Sequence, residues 1–176
     1  MKYGTADFFE SGLEHIRRSP LEQGRVELIV RRPAENARET LLEATLDCAG
    51  GLVGDNWATG SAHRDTQLTL MNARVALLVA GQLDRRQLAG DQLYVDLDLS
   101  EENIPPGTRL EIGSAVIEAT DAPHLGCHKF EERFGPEARR FVNSPVGRQL
   151  RLRGLNARII LPGTVRVGDL VRKVTL

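Results

Sequence analysis

Thr108-Arg-Leu-Glu-Ile-Gly-Ser-Ala-Val-Ile-Glu-Ala-Thr120 reads as two short strands, 108–112 and 115–120, joined by Gly113-Ser114. A glycine-initiated two-residue turn between β-favouring runs is the signature of a hairpin. Pro105-Pro106-Gly107 supplies turn chemistry just before it, and Pro162-Gly163 and Gly168-Asp169 supply it later in the chain. Strands are expected at Ala157–Leu161 and Leu170–Val174 around those turns. Upstream, Val26, Leu28 and Val30 alternate with their neighbours at period two, and Pro33 closes the run. Thr40–Cys48, Thr66–Met71 and Leu93–Leu97 are further candidate strands. Turns every ten residues or so between short strands favour a mainly β sheet or barrel. No strand–helix–strand alternation runs through the chain, which disfavours a doubly wound fold.

Helices are expected at the periphery. Phe9, Leu13 and Ile16 fall on one helical face, Thr5 can cap that helix, and Ser19-Pro20 ends it. Asn72 reads as the N-cap of an apolar helix, Ala73–Ala80, which Gly81 breaks. Short helical turns are expected at 129–134, 136–141 and 146–152.

The chain has 176 residues, 23 Lys+Arg against 24 Asp+Glu, and 41% hydrophobic residues. That is one domain's worth of sequence with enough apolar content for a core. A net charge of −1 removes the footprint of a dedicated nucleic-acid binder. No apolar run approaches a membrane span, and early acidic residues argue against a secretory leader. Two cysteines, Cys48 and Cys127, cannot form a dense disulfide framework, so a reducing cytoplasm is expected.

The most suggestive chemical cluster is Pro123-His124-Leu125-Gly126-Cys127-His128-Lys129. A thiol there can attack, carry sulfur or bind a soft metal, and the same pattern is open to a structural cysteine. Cys48, inside an apolar strand, reads as structural. His124, Cys127 and His128 are three potential zinc ligands. Neither His63 nor Cys48 stands at a spacing that supplies a fourth, so zinc is not expected. Arg64, Thr66 and Gln67, at a strand entrance, suit an anionic group such as phosphate and equally suit an ordinary polar loop. Arg85-Arg86 before Gly90-Asp91-Gln92, and Arg148, Arg151 and Arg153, are similar. Dinucleotide, P-loop and Gly-x-Ser-x-Gly motifs are missing from the sequence.

Taken in order, several segments resemble the MOSC domain, the module named for the C-terminal part of molybdenum cofactor sulfurases. They are Gly51-Leu-Val-Gly-Asp55, Arg64-Asp-Thr-Gln67, Gly90-Asp-Gln-Leu93 and Gly107-Thr-Arg-Leu-Glu-Ile-Gly113. Cys127, Arg153-Gly-Leu-Asn-Ala157 and Pro162-Gly-Thr-Val-Arg-Val-Gly-Asp169 follow. The resemblance runs from about Val26 to the C-terminus and is to bacterial stand-alone members. It implies a β-barrel-like domain over 25–176, with 1–24 as a helical segment packed on it, and a function around the molybdopterin form of the molybdenum cofactor. It implies Cys127 as molybdenum ligand or sulfur-carrying thiolate, and Arg64, Thr66 and Gln67 around the pterin phosphate. Gln92 stands beside them where the family often has Asn. Arg86 and Arg153 are further anion contacts, with His124 and His128 flanking the cysteine. Partners implied are a cysteine desulfurase, a molybdoenzyme or a separate electron donor. Without a desulfurase domain or electron-transfer motif in the sequence, three readings follow: a molybdenum-dependent reductase, a sulfur transferase, and a non-catalytic pterin, anion or protein-binding module.

Overall fold

In the computed structural model, which describes residues 3–60 and 63–174, a closed seven-stranded barrel carries a helical layer on one side. Met1 and Lys2, part of the start read for a leader, and Ser61 and Ala62, in the polar loop before Arg64, lie outside the described residues. The strands are β1 (Gln23–Arg31), β2 (Glu39–Leu41), β3 (Glu43–Asp47), β4 (Gly51–Leu52), β5 (Leu68–Asn72), β6 (Leu93–Val95), β7 (Arg109–Ile112), β8 (Ala115–Ala119), β9 (Leu155–Leu161), β10 (Gly163–Arg166) and β11 (Leu170–Lys173). The order β11-β7-β8-β9-β5-β6-β1 closes through a β1–β11 pairing, with β2 added at the far end of β1. β10, β3 and β4 form a separate three-stranded sheet. The hairpin at 108–120 pairs Arg109 with Glu118 and Ile112 with Ala115. Among the described residues only β5 and β6 pair in parallel, because the chain between them crosses over through a helix.

That helix is α3 (Ala73–Ala80), capped by Asn72, whose side chain accepts from the Arg74 and Val75 amides, and ended by Gly81 in the left-handed region. The other helices are α1 (Ala6–Ser11), α2 (Leu13–Arg17), α4 (His128–Phe134), α5 (Pro136–Asn143) and α6 (Pro145–Gln149). β5 is buried on both faces. Leu68 and Leu70 fill the barrel, and Met71 joins Phe9, Tyr94, Phe130, Phe134 and Phe141 in the helical layer. This is why β5 reads as a nearly continuous apolar run rather than an alternation.

Three segments differ from their sequence reading. The N-terminal helix is two short helices that meet at Gly12, where the missing Cβ leaves room for Leu78 Cδ2, which a Cβ would meet at 2.5 Å. The strand expected over 40–48 breaks at Leu42, which is 83% exposed. Its first part pairs with β1 and its second with β10, so one segment serves two sheets. Pro162-Gly163 is not only a turn, since β10 begins at Gly163.

Candidate functional site

The chain from Leu88 to Asp91, leading into β6, is held by three arginines and a histidine from distant segments. Arg133 Nη1 donates to the Leu88 carbonyl at 2.9 Å, Arg153 Nη2 to the Ala89 carbonyl at 2.9 Å, and Arg32 Nη1 to the Gly90 carbonyl at 3.0 Å. The Asp91 carboxylate is 0% exposed. One oxygen accepts from His124 Nε2 at 2.7 Å and the other from Arg153 Nη1 at 2.6 Å. Burial pushes the Asp91 carboxyl up, but Arg153 and His124 outweigh it and hold it at about 2. Burial, and next the charge of Arg153, hold His124 below its ordinary value, so its ring is neutral near pH 7. Arg153 also lies over the Phe130 ring, 5.1 Å from its centroid.

Gly90 has φ +93, and its missing side chain leaves a small cradle. A Cβ there would lie 3.3 Å from Arg38 Nη2 and 3.6 Å from Arg133 Nη1. Two guanidinium groups therefore converge on one backbone carbon. Arg32, beside them, is paired in a fork with Asp55, at 2.8 and 2.9 Å. Arg38 and Arg133 have no carboxylate partner among the described residues, and Arg38 Nε is buried without an acceptor. Burial, and then the charges of Arg133 and Arg32, lower the pKa of Arg38. Adjacent cations with too few anions are an electrostatic cost that a bound anion relieves.

Cys127 precedes α4, the helix that carries Arg133. The backbone before it is fixed. The Gly126 amide donates to Asn143 Oδ1 at 2.8 Å, and the Gly126 carbonyl accepts from Asn143 Nδ2 at 2.9 Å and Arg139 Nε at 3.2 Å. The Cys127 thiol is exposed and makes no protein hydrogen bond among the described residues. Cys127 and Arg133 thus mark the two ends of α4, roughly 9 Å apart along its axis.

The structure distributes the sequence candidates unevenly. Arg153 and His124 are joined through Asp91. His128 is exposed and pairs with Glu132 at 3.1 Å. Arg64 is exposed in a 3-10 turn, where Thr66 Oγ1 donates to the His63 carbonyl. Gln67 and Gln92 are buried and bonded to protein. Gln67 ties Cys48 to Ile159, and Gln92 Oε1 accepts from the Thr69 amide at 2.8 Å and its hydroxyl at 2.7 Å. Arg86 pairs with Glu27. Cys48 is half-buried, with Sγ 3.6 Å from the Ile160 carbonyl. Sequence reasoning passed over Arg32, Arg38 and Arg133, and it named Asp55 and Asp91 within motifs without giving either a role at the site. Gly90-Asp91 was the available signal, since a left-handed glycine beside an acid marks a place where other groups approach the backbone. Replacing Gln92 by leucine should lower stability by about 1–3 kcal/mol, because the Thr69 amide then loses its buried acceptor. Urea unfolding of the variant checks it, and an unchanged midpoint would show that the network rearranges freely.

A cavity of about 470 Å³ borders Arg153 and His124, lined among others by Thr120, Leu125, Arg148 and Arg151. Among the described residues no group of three or more His, Cys, Asp or Glu is placed to hold a metal ion, and no helix is long and apolar enough to cross a membrane.

The fold defines a class of closed β-barrels covered on one side by a helical layer. A family model for the MOSC domain matches residues 65–172, more than half of the chain, and the chain belongs to the MOSC family. Solved structures agree in fold. The YuaD protein of Bacillus subtilis is 15% identical with a TM-score of 0.61, covering 87% of this chain and 97% of that one. YiiM of Escherichia coli is 20% identical with a TM-score of 0.54, covering 86% and 70%. YiiM of Geobacillus stearothermophilus is 13% identical with a TM-score of 0.55, covering 88% and 74%. The comparison with curated proteins gave no match.

Proposed function

We propose that this protein binds a molybdopterin-type cofactor, with Cys127 meeting its metal and Arg38 and Arg133 holding its phosphate in the Gly90 cradle. The convergence at Gly90 of two guanidinium groups without a carboxylate, one of them, Arg133, on the helix that follows Cys127, carries this reading. The donor set fits. A phosphate is an anion that accepts several guanidinium hydrogen bonds at once. A metal that arrives already held by its own organic cofactor needs only one further ligand, and a soft thiolate suits it. When bound, the cofactor supplies the redox or sulfur chemistry. The protein residues hold and orient it. Asp91 keeps Arg153 and His124 fixed behind the cradle, and Asn143 fixes the turn that presents Cys127.

Two cysteines cannot ligate an iron–sulfur cluster of their own, so a reductase built on this chain takes electrons from a separate donor. The exposure of the Cys127 thiol favours a second reading. In it, the thiolate attacks the outer sulfur of a desulfurase persulfide, the desulfurase thiolate leaves, and Cys127 carries the sulfane sulfur onward.

Metal analysis of protein made in a host that produces the cofactor tests the first reading. About one molybdenum per chain is expected, and loss of it in Cys127→Ser. Molybdenum that survives that substitution overturns the ligand role. Inorganic phosphate should raise the unfolding midpoint of the wild-type chain, as any ligand of the native state does, and should fail to do so in Arg38→Met. An equal rise in that variant overturns the cradle. A persulfide mass on Cys127 after incubation with a desulfurase and cysteine, without bound molybdenum, favours the sulfur-carrier reading.

A further inference from the structure

The cavity beside Arg153 has features the cofactor reading does not use. His124 Nε2 faces a carboxylate that only accepts, so Nε2 carries the ring proton and the lone pair of the neutral ring is on Nδ1. No protein donor engages Nδ1, and it is not among the enclosed unpartnered atoms. His124 lines the cavity, and its ring carries an acceptor held in place by a fully buried acid.

Two arginines stand near it with donors to spare. Arg148 uses Nε on the Asn143 carbonyl at 3.1 Å, and its terminal amino groups have no protein partner. Arg151 is tied through Nη1 to the carbonyls of Leu99 and Ile104, which leaves Nη2 unengaged. Its φ is +47, a left-handed conformation for a non-glycine residue. Residues held in such regions cluster at ligand sites, where the surroundings enforce the strain. Arg153 adds no net charge, since Asp91 neutralises it. Glu101 and Asp121 also line the cavity and offset much of the charge of Arg148 and Arg151. Leu125, 44% exposed, contributes apolar wall with Pro106, Val142 and Leu155.

We propose that this cavity is a second ligand site, distinct from the Gly90 cradle, for a small hydroxycarboxylic acid with an apolar body. His124 Nδ1 accepts from the ligand hydroxyl and Arg148 donates to its carboxylate. The rim acids Glu101 and Asp121 select a monoanion over a phosphate or dicarboxylate, the reverse of the cradle. The apolar wall receives the rest of the ligand.

Mandelate, phenylacetate and phenyl phosphate separate these contributions. They present a hydroxyl with a carboxylate, a carboxylate alone, and a dianion. Binding is read by calorimetry and by the ring nitrogen resonances of His124. Mandelate should bind and shift the Nδ1 signal. Phenylacetate should bind about tenfold more weakly, the scale of one hydrogen bond to a fixed partner. His124→Phe removes the acceptor at Nδ1, so it should bind mandelate and phenylacetate alike. Arg148→Gln should bind neither. Thermal unfolding verifies that both variants fold. No mandelate binding at millimolar concentration overturns the proposal, as does equal affinity for phenylacetate in the wild type or preference for phenyl phosphate. The Arg38→Met variant, which tests the cradle, should bind mandelate as the wild type does. The two sites can therefore fail separately.

Discussion

Asp91→Ala should destabilise the protein by about 3–5 kcal/mol, the range for removing one partner of a buried ion pair. The cost arises less from the lost contact than from what is left behind. Arg153 is 6% exposed, and its charge would stay buried with only the Ala89 carbonyl and the Phe130 ring for company. His124 would lose the acceptor that fixes its tautomer. Arg153→Met in the Asp91→Ala background should recover part of the loss, since no buried charge then remains. A double-mutant cycle by urea unfolding measures that coupling, and simple additivity of the two substitutions would show that the pair is not a unit. The acid limb of the stability curve gives a second check. The Asp91 pKa is about 2 in the folded chain and about 3.9 when unfolded. A depressed pKa contributes stability that is fully present above the unfolded value and is lost as pH falls through the folded one. The advantage of wild type over Asp91→Asn should therefore shrink between about pH 4 and pH 2. The part that titrates is on the order of 2 kcal/mol.

Gly154→Ala should cost more than about 4 kcal/mol, a size reserved for a few severe mechanisms. Two of them act together here. Gly154 has φ +109, where L-residues are strained, and a Cβ would lie 2.1 Å from the Leu70 carbonyl oxygen. That oxygen belongs to β5, which pairs with β9 at Leu70–Leu155, the residue after Gly154. The clash cannot be relieved by a side-chain rotation, so β9 must move off β5 and the barrel opens beside the Arg153–Asp91 pair. Gly107→Ala is the control. Gly107 has φ +90 but nothing within 4 Å of its Cβ position, so only the left-handed strain of about 1–2 kcal/mol applies. Unfolding curves and soluble yield distinguish them. Equal losses at the two positions would show that strain alone matters and the approach to Leu70 does not.

Gly154 illustrates how much of the molecule was legible in advance. Arg153-Gly-Leu-Asn-Ala157 stands out as a family-like segment, but the segment alone does not say that its glycine is pressed against another strand. The hairpin at 108–120, the Asn72 cap and the Gly81 stop were readable because turn and cap chemistry acts within a few residues. The split of 40–48 between two sheets was not, because apolar alternation tells which face is buried and not which neighbour buries it. Gln67 and Gln92 show the same limit at the site. Their amides look like ligand contacts in sequence, yet inside the fold each bridges backbone or side chains of neighbouring strands.

The sequence by itself determined a mainly β barrel with peripheral helices and the MOSC family, and it singled out Cys127 as the thiol to test. These follow from local periodicity, turn residues and the order of short motifs. Tertiary structure alone decided which charges meet. Arg32, Arg38, Arg133 and Arg153 converge on Leu88–Asp91 from segments as far as 64 positions away. Asp91 is a surface acid in composition and a buried anchor in the fold. The physical reason is that charge pairing depends on which segments the closed barrel brings together, and no local pattern in the chain encodes that proximity.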